Sequence, residues 1–126
     1  MFSMSASDHF RSNEVSEKYR AHRDTGALEK SCPLCDTTAV IGYRSWKIIP
    51  NEFPYDLIAV VHDMIVPLRH VDEAGLTDEE RAELIEIKNS TLGTYDIVVE
   101  ATRHNKSIPA HFHLHLIKAK SGLGRT

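Results

Sequence analysis

His111-Phe112-His113-Leu114-His115-Leu116-Ile117 alternates imidazoles with apolar side chains. Successive side chains of a strand point to opposite faces, so the pattern predicts a strand over His111–Ile117. Phe112, Leu114 and Leu116 would enter a core, and three imidazoles would line the other face about 6.6 Å apart. Upstream, Tyr95–Thr102 (Ile97, Val98, Val99), the β-branched run Asp56–Pro67 and Arg44–Pro50 (Trp46, Ile48, Ile49) also read as strands. Thr77-Asp-Glu-Glu80 is a capping box, its hydroxyl and carboxylate satisfying orphan amides reciprocally. The helix it opens carries Ala82, Leu84, Ile85, Ile87 and Leu92 towards a stop at Gly93. Strands around one strong helix define an α+β class with a mostly antiparallel sheet.

The flanks are weaker. Residues 1–30 are polar, with Ser7 or Asp8 as N-cap, a helix to about Arg23 and a stop at Asp24-Thr25-Gly26. The thin apolar stripe of Phe10, Val15 and Tyr19 predicts an appended helix lying on the main body (1–30), with the domain proper over 31–120. Asn51-Glu-Phe-Pro54 is a turn, His104–Pro109 a loop and 121–126 a flexible tail.

At 126 residues the chain has length for one domain, and 41% hydrophobic with 26% charged residues excludes disorder along the whole of it. Fifteen basic against eighteen acidic residues, a net charge of -3, leave no broad field for a nucleic acid. No apolar run approaches the ~20 residues of a membrane span, and the start lacks the apolar core of a signal peptide. A reducing, cytoplasmic setting is the expectation.

In that setting Cys32-Pro-Leu-Cys35 reads as half of a metal site or as a redox pair. The β-like segment after Asp36-Thr37-Thr38 does not suit a thioredoxin-type motif, and there is no third cysteine, so histidine must complete the site. Eight histidines supply candidates. His9 and His22 belong to the polar leader and His104 to a strand end, where solvation is the plain expectation. The alternating three could be a solvated strand face, a tri-histidine zinc site, or a nucleophile with neighbours that bind an anion.

The His-φ-His-φ-His-φ-φ run resembles the signature of the histidine triad (HIT) superfamily. His62-Asp-Met-Ile-Val-Pro67-Leu-Arg-His70 resembles that family's His-x-φ-φ-φ-Pro-Lys-x-His segment, with Arg69 in place of the lysine. Asn51-Glu-Phe-Pro54-Tyr55 resembles its Asn-x-φ-Pro-φ nucleoside segment, and Cys32-x-x-Cys35 the zinc half-site of bacterial-type members. The four fall in the family's order between Ser31 and Lys118.

The resemblance implies a meander with a five-stranded antiparallel sheet, one long helix and a homodimer. It implies a hydrolase or nucleotidyl transferase acting on a purine nucleotide or nucleotide conjugate, as phosphoramidases and dinucleoside polyphosphate hydrolases do. His113 would be the nucleophile, its Nδ1–H held by a backbone carbonyl near His115. His62, His115, Asn105 and Ser107 would contact the phosphate, and Asn51 and Phe53 would shape the nucleoside pocket. Structural zinc would sit on Cys32, Cys35, His70 and His111, a closed tetrahedral set. Val61 stands where the family commonly has glycine, and about three extra residues separate Asn51 from His62, which implies a reshaped nucleoside pocket. Two other functions stay open: a nucleotide-binding module with little catalysis, and a zinc-stabilised partner-binding protein with 1–30 as adaptor.

Overall fold

The computed structural model describes residues 10–24, 32–102, 108 and 110–121. Helix α1 is Asn13–Asp24 and the single-turn α2 is Pro33–Asp36. Strands β1 (Ile41–Gly42), β2 (Trp46–Pro50) and β3 (Ala59–Pro67) lead to helix α3 (Asp78–Ser90), followed by β4 (Ile97–Val99) and β5 (Leu114–Ala119). The strands form one sheet in the order β1-β2-β3-β5-β4, every pair antiparallel. This is the α+β, five-stranded antiparallel architecture expected.

Strand alternation divides the core. Trp46 and Ile48 of β2, Ile65 of β3, and Leu114 and Leu116 of β5 pack with Phe112, Leu76, Ile87 and Leu92 beneath α3. The Trp46 indole N–H donates to the Glu80 carbonyl at 2.9 Å, so the largest core side chain also leaves no orphan donor. On the opposite face Ile49, Met64 and Val66 pack with Leu34 of α2, while Tyr55, Ala59 and Ile117 meet Phe10. His62 and His115 belong to this second face by the same alternation.

The α3 capping box is complete: Thr77 Oγ1 accepts from Glu80 N–H (3.1 Å), and Glu80 Oε1 accepts from Thr77 N–H (2.8 Å). Arg69 grips the same carboxylate with two donors, at 2.7 and 3.1 Å. These Arg69 bonds hold the Glu80 carboxyl down at about 2, outweighing the opposing effect of burial. The fork fixes the turn that presents His70, so arginine at 69 does more than replace a lysine's charge.

Several boundaries differ from the sequence reading. Helix α1 starts at Asn13 because Ser12 caps it, its Oγ accepting from Val15 N–H (3.2 Å) while its own N–H donates to the Asp56 carboxylate (2.7 Å). The expected caps Ser7 and Asp8, the stop at Thr25-Gly26 and tail residues 122–126 lie outside the described residues. Strand β2 begins at Trp46 because Arg44 and Ser45 turn back on β1, with Glu83 accepting from both of their amides (3.2 and 2.8 Å). Strand β3 begins at Ala59, since the amides of Ile58 and Ala59 both bond back to the Tyr55 carbonyl. Helix α3 ends at Ser90, the chain continuing into a 3-10 turn at Leu92–Thr94. Strand β4 is only Ile97–Val99, and β5 begins at Leu114, so His111 and His113 precede the strand on which all three histidines were expected. No helix among the described residues is long and apolar enough to cross a membrane.

Candidate functional site

The chain between Asn51 and His62 carries Tyr55 inward, 4% exposed, against both sheet histidines. Its ring centroid lies 4.4 Å from that of His62 and 5.1 Å from that of His115. The Tyr55 amide donates to His62 Nδ1 at 2.9 Å, which places the His62 proton on Nε2. That Nε2–H faces His115 Nδ1 at 2.8 Å and donates to it, so His115 carries its own proton on Nε2. Asn51 Nδ2 also lies 3.3 Å from His62 Nε2, but two donors face each other there and the pair is a contact only. Burial pushes His62 down to about 3, with the nearby Arg11 charge adding to it. Burial likewise pushes His115 to about 2, reinforced by His113, His62 and Arg11. Both imidazoles are neutral at physiological pH.

His113 is fixed by a different partner. Its Nδ1 lies 2.9 Å from the His111 carbonyl, an atom that can only accept, so Nδ1 carries a proton and the lone pair of the neutral form belongs to Nε2. The anchoring carbonyl therefore belongs to the first histidine of the run, not to the neighbourhood of the third. The chain turns between His111 and Leu114, which brings that carbonyl within reach. His113 and His115 meet edge to face, 5.2 Å between centroids.

These groups open on a cavity of about 370 Å³, within the range of small-ligand sites. His113, His115, Asn51, Phe53 and Tyr55 line it from the sheet side. Asn51 Oδ1 accepts from the Phe53 amide at 2.8 Å, a local side-chain bond that fixes the start of that turn. Arg11, Tyr19 and His22 line it from the N-terminal segment. The Tyr19 and His22 rings pack on Phe53 at 5.3 and 5.2 Å, so His22 is part of a wall and not a solvated leader residue. His62 stands behind His115, with both ring nitrogens bonded inside the protein. Asn105 and Ser107, with His9 and His104, lie outside the described residues.

A second cluster adjoins the first. Ligand atoms of Cys32, Cys35, His70 and His111 all lie within 4.8 Å of one another, and the group can hold a metal ion. His111 Nδ1 is 3.4 Å from both sulfurs and 3.2 Å from His70 Nδ1, which is itself 3.4 Å from Cys35 Sγ. Ligands at bond lengths of 2.0–2.3 Å round a tetrahedral cation are separated by about 3.3–3.7 Å, so the set fits four-coordination. His111 Nε2–H donates to the Pro67 carbonyl (3.0 Å), leaving the Nδ1 lone pair aimed into the cluster. Burial and the neighbouring Cys32 push the Cys35 thiol up, a cost that a divalent cation removes by binding the thiolate.

Tyr55 and Arg11 are the site residues that sequence reasoning missed. Tyr55 closes the Asn51–Tyr55 segment, a local signal for a pocket wall; Arg11 carries no local signal.

The fold is similar to that of a HIT family hydrolase from Clostridium thermocellum. The match covers 76% of this chain and 88% of that one at 16% sequence identity, with a TM-score of 0.51. At this identity the likeness is one of fold. No protein-family model matches the sequence, and no curated protein matches it.

Proposed function

We propose that the protein cleaves purine nucleotide conjugates at the α-phosphate through a nucleotidyl-histidine formed on His113. The observation that carries this reading is the His113 tautomer: Nδ1–H is tied to a carbonyl, so Nε2 holds the lone pair in a cavity that it shares with His115. A neutral imidazole so held is a nucleophile near pH 7. Its lone pair forms the N–P bond while the bond to the leaving group breaks on the opposite side. The leaving group departs with the electron pair and takes up a proton. Water then attacks phosphorus, the N–P bond returns its pair to Nε2, and a nucleoside monophosphate is released; a second alcohol or phosphate in place of water makes the reaction a transfer.

His115 Nε2–H is the donor for charge developing on the phosphoryl oxygens, and His62 fixes which nitrogen of His115 bears that proton. His62 thus serves as a positioning residue, in place of the direct phosphate contact implied by the resemblance. Asn51 and Phe53 hold the nucleoside, and Asn105 and Ser107 carry the phosphate contacts that the sequence resemblance assigns to that loop. Zinc suits the Cys32, Cys35, His70 and His111 set, where it holds the chain ends of the site together and offers no open position for substrate. The protein acts as a cytoplasmic homodimer on this reading.

A panel of nucleoside phosphoramidates, dinucleoside polyphosphates and nucleotide sugars tests it. At least one class should turn over, and His113→Ala should lower kcat by about a thousandfold or more, the scale of losing a covalent nucleophile. Monophosphate binding should persist in that variant. Monophosphate binding without turnover of any class would leave a binding module instead.

A further inference from the structure

The residues on both sides of Arg11 are tied to the turn that carries the cavity's aromatic wall. The Phe10 carbonyl accepts from Leu57 N–H at 3.0 Å, and Ser12 N–H donates to the Asp56 carboxylate at 2.7 Å. Arg11 itself is 6% exposed and donates from Nε to the Phe53 carbonyl at 2.8 Å. Its guanidinium carbon lies 4.5 Å from the Tyr19 ring centroid and 5.2 Å from that of Tyr55, so the planar group is held between two π faces. Tyr55 is also the ring against His115, its hydroxyl 3.4 Å from His115 Nε2. Arg11, His113 and His115 line one cavity.

We propose that Arg11 is an anion-binding residue of this site, its guanidinium taking a phosphate oxygen of the nucleotide whose phosphorus faces His113. The inference rests on the nucleotide reading above and deepens it. A phosphate brings negative charge against largely desolvated walls, Arg11 itself being 6% exposed, and a cationic partner there stabilises it. The imidazoles of His62 and His115 are neutral and donate hydrogen bonds without supplying that charge. Glu52 is also at the cavity, but exposed and of the wrong sign. The Arg11 field reaches the sheet histidines, since it is among the influences that hold both in the neutral form. A rigid fork fixed through Nε suits the oxygens of a phosphate better than a flexible ammonium does. The N-terminal segment is then part of the site, and selects ligands by charge.

Calorimetric titration of wild type, Arg11→Gln and Arg11→Lys with adenosine and guanosine 5′-monophosphates, and with the two nucleosides, tests this. Arg11→Gln should weaken the monophosphates at least tenfold and the nucleosides less than twofold, and Arg11→Lys should recover part of the difference. Equal weakening of monophosphate and nucleoside would show that Arg11 merely packs the helix, and unchanged monophosphate binding would show no role; either result overturns the proposal. Should Arg11→Gln fail to melt cooperatively, Arg11→Lys decides alone, with a threefold or greater loss confined to monophosphates expected and no loss overturning it. Wild-type protein that binds no monophosphate defeats the nucleotide reading itself, a result distinct from either.

Discussion

His113, His115 and His62 have protons placed by three different partners: a carbonyl, an imidazole and a backbone amide, and burial keeps the latter two imidazoles neutral. Their neutrality has a measurable consequence for stability. Burial holds His62 at about 3 and His115 at about 2, below the 6.5 of an exposed histidine. The unfolded chain therefore binds protons that the native state refuses. The stability contribution is complete above pH 6.5 and is lost as pH falls from there towards 3. Between pH 7 and pH 5 each group costs up to about 2 kcal/mol. His115→Gln removes one of the two, so its loss over that interval should be about 2 kcal/mol smaller than in wild type. Urea unfolding at the two pH values measures this, and acid effects at the metal cluster cancel in the comparison. Equal losses would contradict the buried neutral imidazole.

The metal cluster joins three parts of the chain: α2 supplies Cys35 and is preceded by Cys32, the turn after β3 supplies His70, and the segment before β5 supplies His111. Elemental analysis should find close to one zinc per chain, and Cys32→Ala should lower both zinc content and melting temperature. A metal bound only by the native state stabilises it, and a loss of about 2 kcal/mol shifts the melting point of a domain this size by roughly 8 °C. Metal-free protein of unchanged stability would refute the assignment. The same cluster explains what was legible in the sequence. Apolar alternation in β2, β3 and β5 and the Thr77–Glu80 box are local signals, and the strands and helix they announce are present. The early end of the His111–Ile117 strand was not legible. His111 is drawn towards Cys32, Cys35 and the Pro67 carbonyl, and Phe112 N–H bonds Val71, tertiary pulls that leave no mark on periodicity. Strand β1, two residues long, is too short for any pattern. The Arg11–Phe53 bond spans 42 residues, beyond any local motif.

One face of the sheet holds α3 and the larger core; the other holds the histidines, the cavity, the metal cluster and the N-terminal segment. The two sites on that face meet at one residue: His111 turns its imidazole to the cluster and its backbone carbonyl to His113 Nδ1. The cavity is thus assembled from β3, β5, α2, the turn at Asn51–Tyr55 and the N-terminal segment with Arg11, Tyr19 and His22, and His113 presents its ring to it with Nδ1–H held by the His111 carbonyl. The measurement that bears on this most directly is rapid quenching of wild type and His113→Ala with a nucleotide conjugate labelled at the α-phosphate. Wild type should retain label on protein within the first turnover, stable to base and labile to acid as a phosphoramidate is, and His113→Ala should retain none. Label retained equally by His113→Ala, or near-normal hydrolysis by that variant, would contradict the covalent mechanism.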